Sequence, residues 1–249
     1  SRSYPPGPPG TCSDSSSVPS GVHRCSAQGG DSDNDGDPDS PLTGGRCRNG
    51  VPLIYEQDPA GMFTDIVAGL TNVEYASAQW GDYDNDGDLD ILLTGSGGGG
   101  RVSQIYKQDP VGTFTDISAR LAGGYRSSAE WGDYDNDGDP DLYVVNIDNE
   151  LHANRLFSND GDGTFTDVAL AEGAAAQVEG RSLDGSFADY DSDGDPDLFV
   201  TNGGANQFGP HALLQNAGND NHWFKVRLRG RRSNSNGLMA RLCVLSGGV

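Results

Sequence analysis

Four stretches of the chain repeat one pattern, DxDxDGxxD, at an almost constant interval. They run from Asp31 to Asp39 (DSDNDGDPD), Asp82 to Asp90 (DYDNDGDLD), Asp133 to Asp141 (DYDNDGDPD) and Asp189 to Asp197 (DYDSDGDPD). The second begins 51 residues after the first, the third 51 after the second and the fourth 56 after the third, so the chain is a tandem array with a period near 50. More than the loop recurs. IYEQDPAGMFTDIVAGL from Ile54 aligns without gaps on IYKQDPVGTFTDISARL from Ile105 with 12 of 17 positions identical, and a third copy reads LFSNDGDGTFTDVA from Leu156. Ahead of the loops, Ser77-Ala78-Gln79-Trp80-Gly81 matches Ser128-Ala129-Glu130-Trp131-Gly132, and Gly185-Ser186-Phe187-Ala188 takes that place in the fourth unit.

The loops also carry the charge. They hold 20 of the 37 acidic residues of a 249-residue chain whose formal charge is -21, while the other 17 acids are nearly balanced by 16 basic side chains. So acidic a chain excludes nucleic acid and anionic membrane surfaces as partners. The longest apolar runs, Ile91-Leu92-Leu93 and Leu142-Tyr143-Val144-Val145, are strand-sized, far below the roughly 20 residues of a membrane-spanning helix, so no membrane insertion is expected. Like charges at this density repel unless a cation neutralises them.

In DxDxDGxxD, side chains at positions 1, 3 and 5 can converge on one centre, glycine at 6 permits the positive φ of a sharp turn, the main-chain carbonyl at 7 can face inward, and position 9 closes the shell. Oxygen-only, carboxylate-rich donors in an adaptable loop suit Ca²⁺ better than Mg²⁺, zinc or copper. The expected metal residues are Asp31, Asp33, Asp35, Asp37 and Asp39 in the first loop, and Asp82, Asp84, Asp86, Asp88 and Asp90 in the second. Asp133, Asp135, Asp137, Asp139 and Asp141 serve the third, and Asp189, Asp191, Asp193, Asp195 and Asp197 the fourth. Residues 37, 88, 139 and 195 act through their carbonyls. About four Ca²⁺ are implied. Position 12 falls in a strand, which rejects an EF-hand.

Each unit reads as a short strand ending in Trp or Phe, the Asp loop, a β-branched or aromatic strand, a Gly-rich turn and a hairpin, in which Gln104-Ile105-Tyr106 is expected to pair with Thr113-Phe114-Thr115. Four short strands per unit of about 50 residues predict an all-β array of four-stranded blades of the β-propeller type. The first unit is eroded: Gly29 stands for a tryptophan, Ser32 for a tyrosine and Ser40-Pro41-Leu42 for Ile91-Leu92-Leu93, as in a terminal repeat.

WGDYDNDGDLDILLTG from Trp80, followed by a GTFTD hairpin, resembles the FG-GAP/VCBS repeats of integrin-α-like β-propellers, and the resemblance implies calcium loops between the first two strands of each blade. From Asn221, NHWFKVRLRG, then Ser233-Asn234 and GLMAR from Gly237, resembles the opening of an ASPIC/UnbV domain, although Leu238-Met239 replaces the Ile-Gly usual there. The organisation expected is a Pro/Gly/Ser-rich lead-in over 1–25, four repeats over 26–219 and a truncated ASPIC/UnbV-like start over 220–249. The resemblance implies more than four blades in a closed ring, so the four units are expected to form a small propeller, an open arc or a ring completed by another copy, with exposed strand edges favouring self-association into a homo-oligomer or filament.

Cys12, Cys25, Cys47 and Cys243 form no CxxC pair, and their even number suits an oxidising compartment, with Cys12–Cys25 one of the pairings open. His23, His152, His211 and His222 lie in unrelated contexts, and no GxSxG or HExxH motif is present. Trp80 and Trp131 read as blade core rather than sugar platforms. The function expected is that of a secreted or surface-displayed, non-catalytic calcium-binding module for adhesion, recognition or assembly, with an extracellular protein or glycan as ligand. The alternative is a lectin or the non-catalytic propeller of a polysaccharide-active enzyme.

Overall fold

The computed structural model describes residues 23–46, 49–50, 52–58, 61–109, 111–123, 128–146, 153–175, 182–203 and 210–218. The lead-in, Cys12, Cys47, Cys243, His152, His222 and the ASPIC/UnbV-like segment lie outside them. The described residues form four antiparallel sheets in chain order and no helix. The first contains β1 (His23–Ala27), β2 (Ser40–Arg46), the two-residue β3 (Asn49–Gly50), β4 (Leu53–Gln57) and β5 (Phe63–Asp65). The second contains β6 (Glu74–Gly81), β7 (Asp90–Gly97), β8 (Gly100–Gln108) and β9 (Phe114–Asp116). The third contains β10 (Ser128–Gly132), β11 (Asp141–Val145), β12 (Arg155–Asn159) and β13 (Phe165–Asp167). In the fourth, β14 (Ser182–Ala188), β15 (Asp197–Asn202) and β16 (Ala212–Leu214) are the strands among the described residues.

Each Asp loop connects the first two strands of its sheet; the residue that ends the loop starts the second strand in the last three sheets and immediately precedes it in the first. In the two middle sheets the second strand is sandwiched between neighbouring sheets, which explains its unbroken apolar run: β7 is buried from Asp90 to Gly95 and β11 throughout. Alternate residues point to opposite neighbours. Ile91 and Leu93 pack with Ile54 of the first sheet, whereas Leu92 and its cross-strand partner Ile105 pack with Leu142 and Val144 of the third. Tyr143 and its partner Leu156 pack with Leu198 and Val200 of the fourth. The same register position on the far face of the fourth sheet, Phe199 paired with Leu213, is 43% and 48% exposed, against 1% and 0% for Leu92 and Ile105.

Close packing between sheets has a sequence signature in the glycine before each of the first three loops. A methyl group on Gly30 or Gly81 would come within 2.5 Å of the Trp80 or Trp131 ring of the following sheet, and Gly132 faces Phe187 in the same way. Trp80 is accordingly buried and Trp131 packs against the second cluster, in keeping with a core role.

One pairing differs from the sequence expectation. The hairpin of the second sheet joins Tyr106, Lys107 and Gln108 to Asp116, Thr115 and Phe114, two residues further along β8 than Gln104-Ile105-Tyr106. The turn itself fixes this register, because Asp109 N–H donates to the Thr113 carbonyl and Gly112 N–H to Gln108 Oε1, both at 3.0 Å. The eroded first unit still forms a sheet: Pro41 is buried and sits opposite Ile54.

Candidate metal centres

The four loops share one backbone course. Position 4 is left-handed in all of them, at Asn34 (φ 60°), Asn85 (58°), Asn136 (56°) and Ser192 (67°), and glycine at position 6 has φ of 93–102° at Gly87, Gly138 and Gly194 and 96° at Gly36. Asparagine tolerates the first conformation and glycine is needed for the second. Side-chain caps set the intervening turns. Position 5 accepts from the N–H of position 7 in every loop, for example Asp86 Oδ1 from Asp88 N at 2.9 Å and Asp137 Oδ1 from Asp139 N at 2.9 Å.

Position 9 is the anchor. Asp39, Asp90, Asp141 and Asp197 are buried, and each gives both oxygens to main-chain N–H groups. One oxygen accepts from position 2 of its own loop, at 2.7 Å from Ser32, 3.1 Å from Tyr83, 2.8 Å from Tyr134 and 3.0 Å from Tyr190. The other accepts at 2.9 Å from Gln57, Gln108, Asn159 or Asn216, at or just beyond the end of the third strand. The residue expected to close the coordination shell thus also ties the loop to the sheet.

Carboxylate oxygens converge in each loop. Those of Asp31, Asp33 and Asp39 lie within 4.8 Å of one another, as do those of Asp133, Asp135 and Asp141, and of Asp189, Asp191 and Asp197; in the second loop the group is Asp82, Asp84 and Asp86. Three oxygens bound to one Ca²⁺ at about 2.4 Å cannot be further apart than roughly this. Position 1 presents one oxygen to the loop glycine, with Gly36 N–H on Asp31 Oδ2 at 3.1 Å and Gly87 N–H on Asp82 Oδ2 at 3.0 Å. The other oxygens, Asp31 Oδ1 and Asp82 Oδ1, are buried without a hydrogen-bond partner, as is Asp84 Oδ1. A buried anionic acceptor left this way is costly, and a cation is the group that would satisfy it. The donor set is all oxygen and the oxygens converge, so the residues fit a calcium ion.

The electrostatics agree. Burial pushes the Asp90 and Asp141 carboxyls up to about 7 against two main-chain N–H donors each. Burial also raises Asp33, Asp82, Asp133 and Asp135, with neighbouring loop carboxylates adding to it. Asp86 goes the other way: burial raises it, but the Asp88 N–H and Lys107 outweigh that and hold it low.

Sequence reasoning missed the partners of position 7. Asp88, Asp139 and Asp195 turn their side chains to the preceding loop, where they accept from Asn34 (3.1 Å), Asn85 (2.9 Å) and Asn136 (2.6 Å). A second link runs the opposite way, from Gln108, Asn159 and Asn216 side chains to the carbonyls of Ser32, Tyr83 and Tyr134 at 2.8, 2.8 and 2.5 Å. The recurrence of Asn at position 4 in three loops was the available signal. His211 has a structural part, its Nδ1 accepting from Asn202 N–H at 3.1 Å.

The FG-GAP-like repeat family matches residues 82–144 and 133–200, each match starting at the first aspartate of a loop and ending in the second strand of the next sheet. Residues 82–200 carry FG-GAP-like repeats. With that, the repeating sheet-plus-loop unit is accounted for over both matches. Cartilage acidic protein 1 of Homo sapiens is 26% identical over 195 residues, covering 74% of this chain and 29% of its own length. The Mus musculus protein of the same name gives 26% over 195 residues, with 74% and 30% covered, and that of Xenopus tropicalis 26% over 188 residues, with 69% and 29% covered. The chain therefore spans less than a third of the length of these relatives.

Proposed function

We propose that the protein is an extracellular calcium-binding repeat module in which Ca²⁺ acts structurally, neutralising the loops so that successive sheets can stack. The observation that carries this reading is the buried, partnerless oxygen of Asp31 and of Asp82 beside converging carboxylates. Positions 1, 3, 5 and 9 would hold the ion with the position 7 carbonyl, which assigns Asp31, Asp33, Asp35, Asp39 and the carbonyl of Asp37 to the first loop and the matching residues to the others. Bound calcium supplies charge neutralisation and cross-linking, without chemistry. The protein's own residues do the rest: position 9 fixes the loop to its sheet and the Asn–Asp links fix each loop to the next.

The reading is that of a non-catalytic protein. Loops of this kind suit compartments with about millimolar calcium, which together with the four cysteines supports a secreted or surface location. Adhesion or recognition of an extracellular protein or glycan is the role proposed, and the uncovered Phe199–Leu213 face supports association with further copies. Calorimetric titration of the metal-stripped chain tests the metal assignment: uptake of about four calcium ions is expected, and no uptake would overturn it. Light scattering in calcium tests association, which a strictly monomeric mass would refute.

A further inference from the structure

The four loops have the same ligand pattern, but the residue at one matching position at or just beyond the end of the third strand differs. One residue before the anchor partners Gln57, Gln108, Asn159 and Asn216 stand Glu56, Lys107, Ser158 and Gln215. In the second loop the Lys107 ammonium forms an ion pair with Asp84 and a second with Asp86 Oδ2 at 3.0 Å. In the fourth loop Gln215 makes the neutral counterpart, Nε2 donating to Asp191 Oδ2 at 2.6 Å. The Lys107 side chain is less than a third exposed, and the two carboxylates it grips belong to the group that converges in its loop. It is also in this loop that the converging trio is Asp82, Asp84 and Asp86, whereas position 9 takes the third place in the other three.

We infer that Lys107 is the affinity-setting residue of the second calcium site, an internal cation that occupies Asp84 and Asp86 when calcium is scarce and must be displaced when it binds. The inference rests on the calcium reading above. Two carboxylates that calcium needs are already neutralised, and an ammonium left within a few ångströms of a doubly charged ion repels it. The site is therefore weaker than the fourth, by about ten-fold or more. The same ion pairs have a converse effect: they hold the second loop together without calcium, where the others rely on neutral caps against their own repulsion. The module is thus graded, with one loop that stays ordered as calcium falls and fills last as it rises.

The test is the Lys107→Gln variant, which copies the fourth loop, measured in EDTA and in saturating calcium beside the parent. Calorimetric titration of the parent should show one site weaker than the rest, and Lys107→Gln should tighten it by about ten-fold. The melting temperature of the variant should lie below the parent's in EDTA and at or above it in calcium, a reversal that a merely structural lysine would not give. Gln215→Lys provides the converse, weakening one site while its melting temperature in EDTA holds or rises. If calcium binds but Lys107→Gln leaves every site unchanged, the inference fails and the calcium reading stands. If neither protein takes up calcium, both fail.

Discussion

Asn85 donates from Nδ2 to Asp139 Oδ1 at 2.9 Å, joining the left-handed corner of the second loop to the seventh position of the third, 54 residues away. The bond recurs from Asn34 to Asp88 and from Asn136 to Asp195, so a ladder of side-chain links runs along the line of loops. The loops are therefore coupled to one another as well as to their own sheets. At the fourth loop Ser192 holds the asparagine's position with the same positive φ but a shorter side chain.

Replacing Asn85 or Asn136 by alanine should cost roughly 0.5–1.5 kcal/mol, the range of a hydrogen bond to a charged group discounted for exposure. Urea denaturation reads this directly. Equal midpoints for the parent and both variants would show that the ladder does not stabilise the fold.

Asp141 and Asp137 sit four residues apart in one loop and should behave differently. Asp141→Ala strips a buried anchor from two main-chain N–H groups, Tyr134 at 2.8 Å and Asn159 at 2.9 Å, and should lose about 2–4 kcal/mol with or without calcium. Asp137→Ala removes an exposed carboxylate and should destabilise chiefly when calcium is present. Chemical denaturation of both variants in EDTA and in calcium separates anchor from ligand.

The pH response of the ion-free protein follows from Asp90 and Asp141. Their carboxyls rise from the usual 3.8 to about 7 in the folded chain, so the folded state holds their protons more tightly than the unfolded state does. Stability in EDTA should accordingly be greatest near pH 4 as far as these two groups are concerned, and fall as pH rises from there through 7. Calcium requires the ionised form, so in saturating calcium the slope over that window should reverse. Thermal melts across the window in both conditions check the pair of slopes.

Two glycines test the stacking of sheets. Gly81→Ala places a methyl group 2.5 Å from the Trp131 ring and should cost about 1–3 kcal/mol, whereas Gly29→Ala adds one into open space and should stay within about 0.5 kcal/mol. Urea midpoints of the two variants decide it.

Much of this was legible in the residues because it depends on short-range chemistry. The spacing of Asp31, Asp33 and Asp39, the glycines at position 6 and the apolar runs after each loop specify turn, strand and convergent carboxylates within a dozen positions. What escaped notice depends on partners about 20 to 80 residues away. The period of the array does not show that Asn85 reaches Asp139, that Gly81 is small because Trp131 lies on it, or that Lys107 enters the second loop. The register of the β8–β9 hairpin escaped for a local reason: Gln108 spends its side chain closing the turn through Gly112, which moves the pairing two residues along. The dual role of position 9 was hidden too, because an aspartate that accepts two main-chain N–H groups looks in sequence like any other ligand.

If cations hold these four loops folded, the melting temperature of the protein must depend on free calcium. A steady rise from EDTA to millimolar calcium is expected, because the ion binds the folded loops and not the unfolded chain. A melting temperature that does not change between EDTA and millimolar calcium would contradict it.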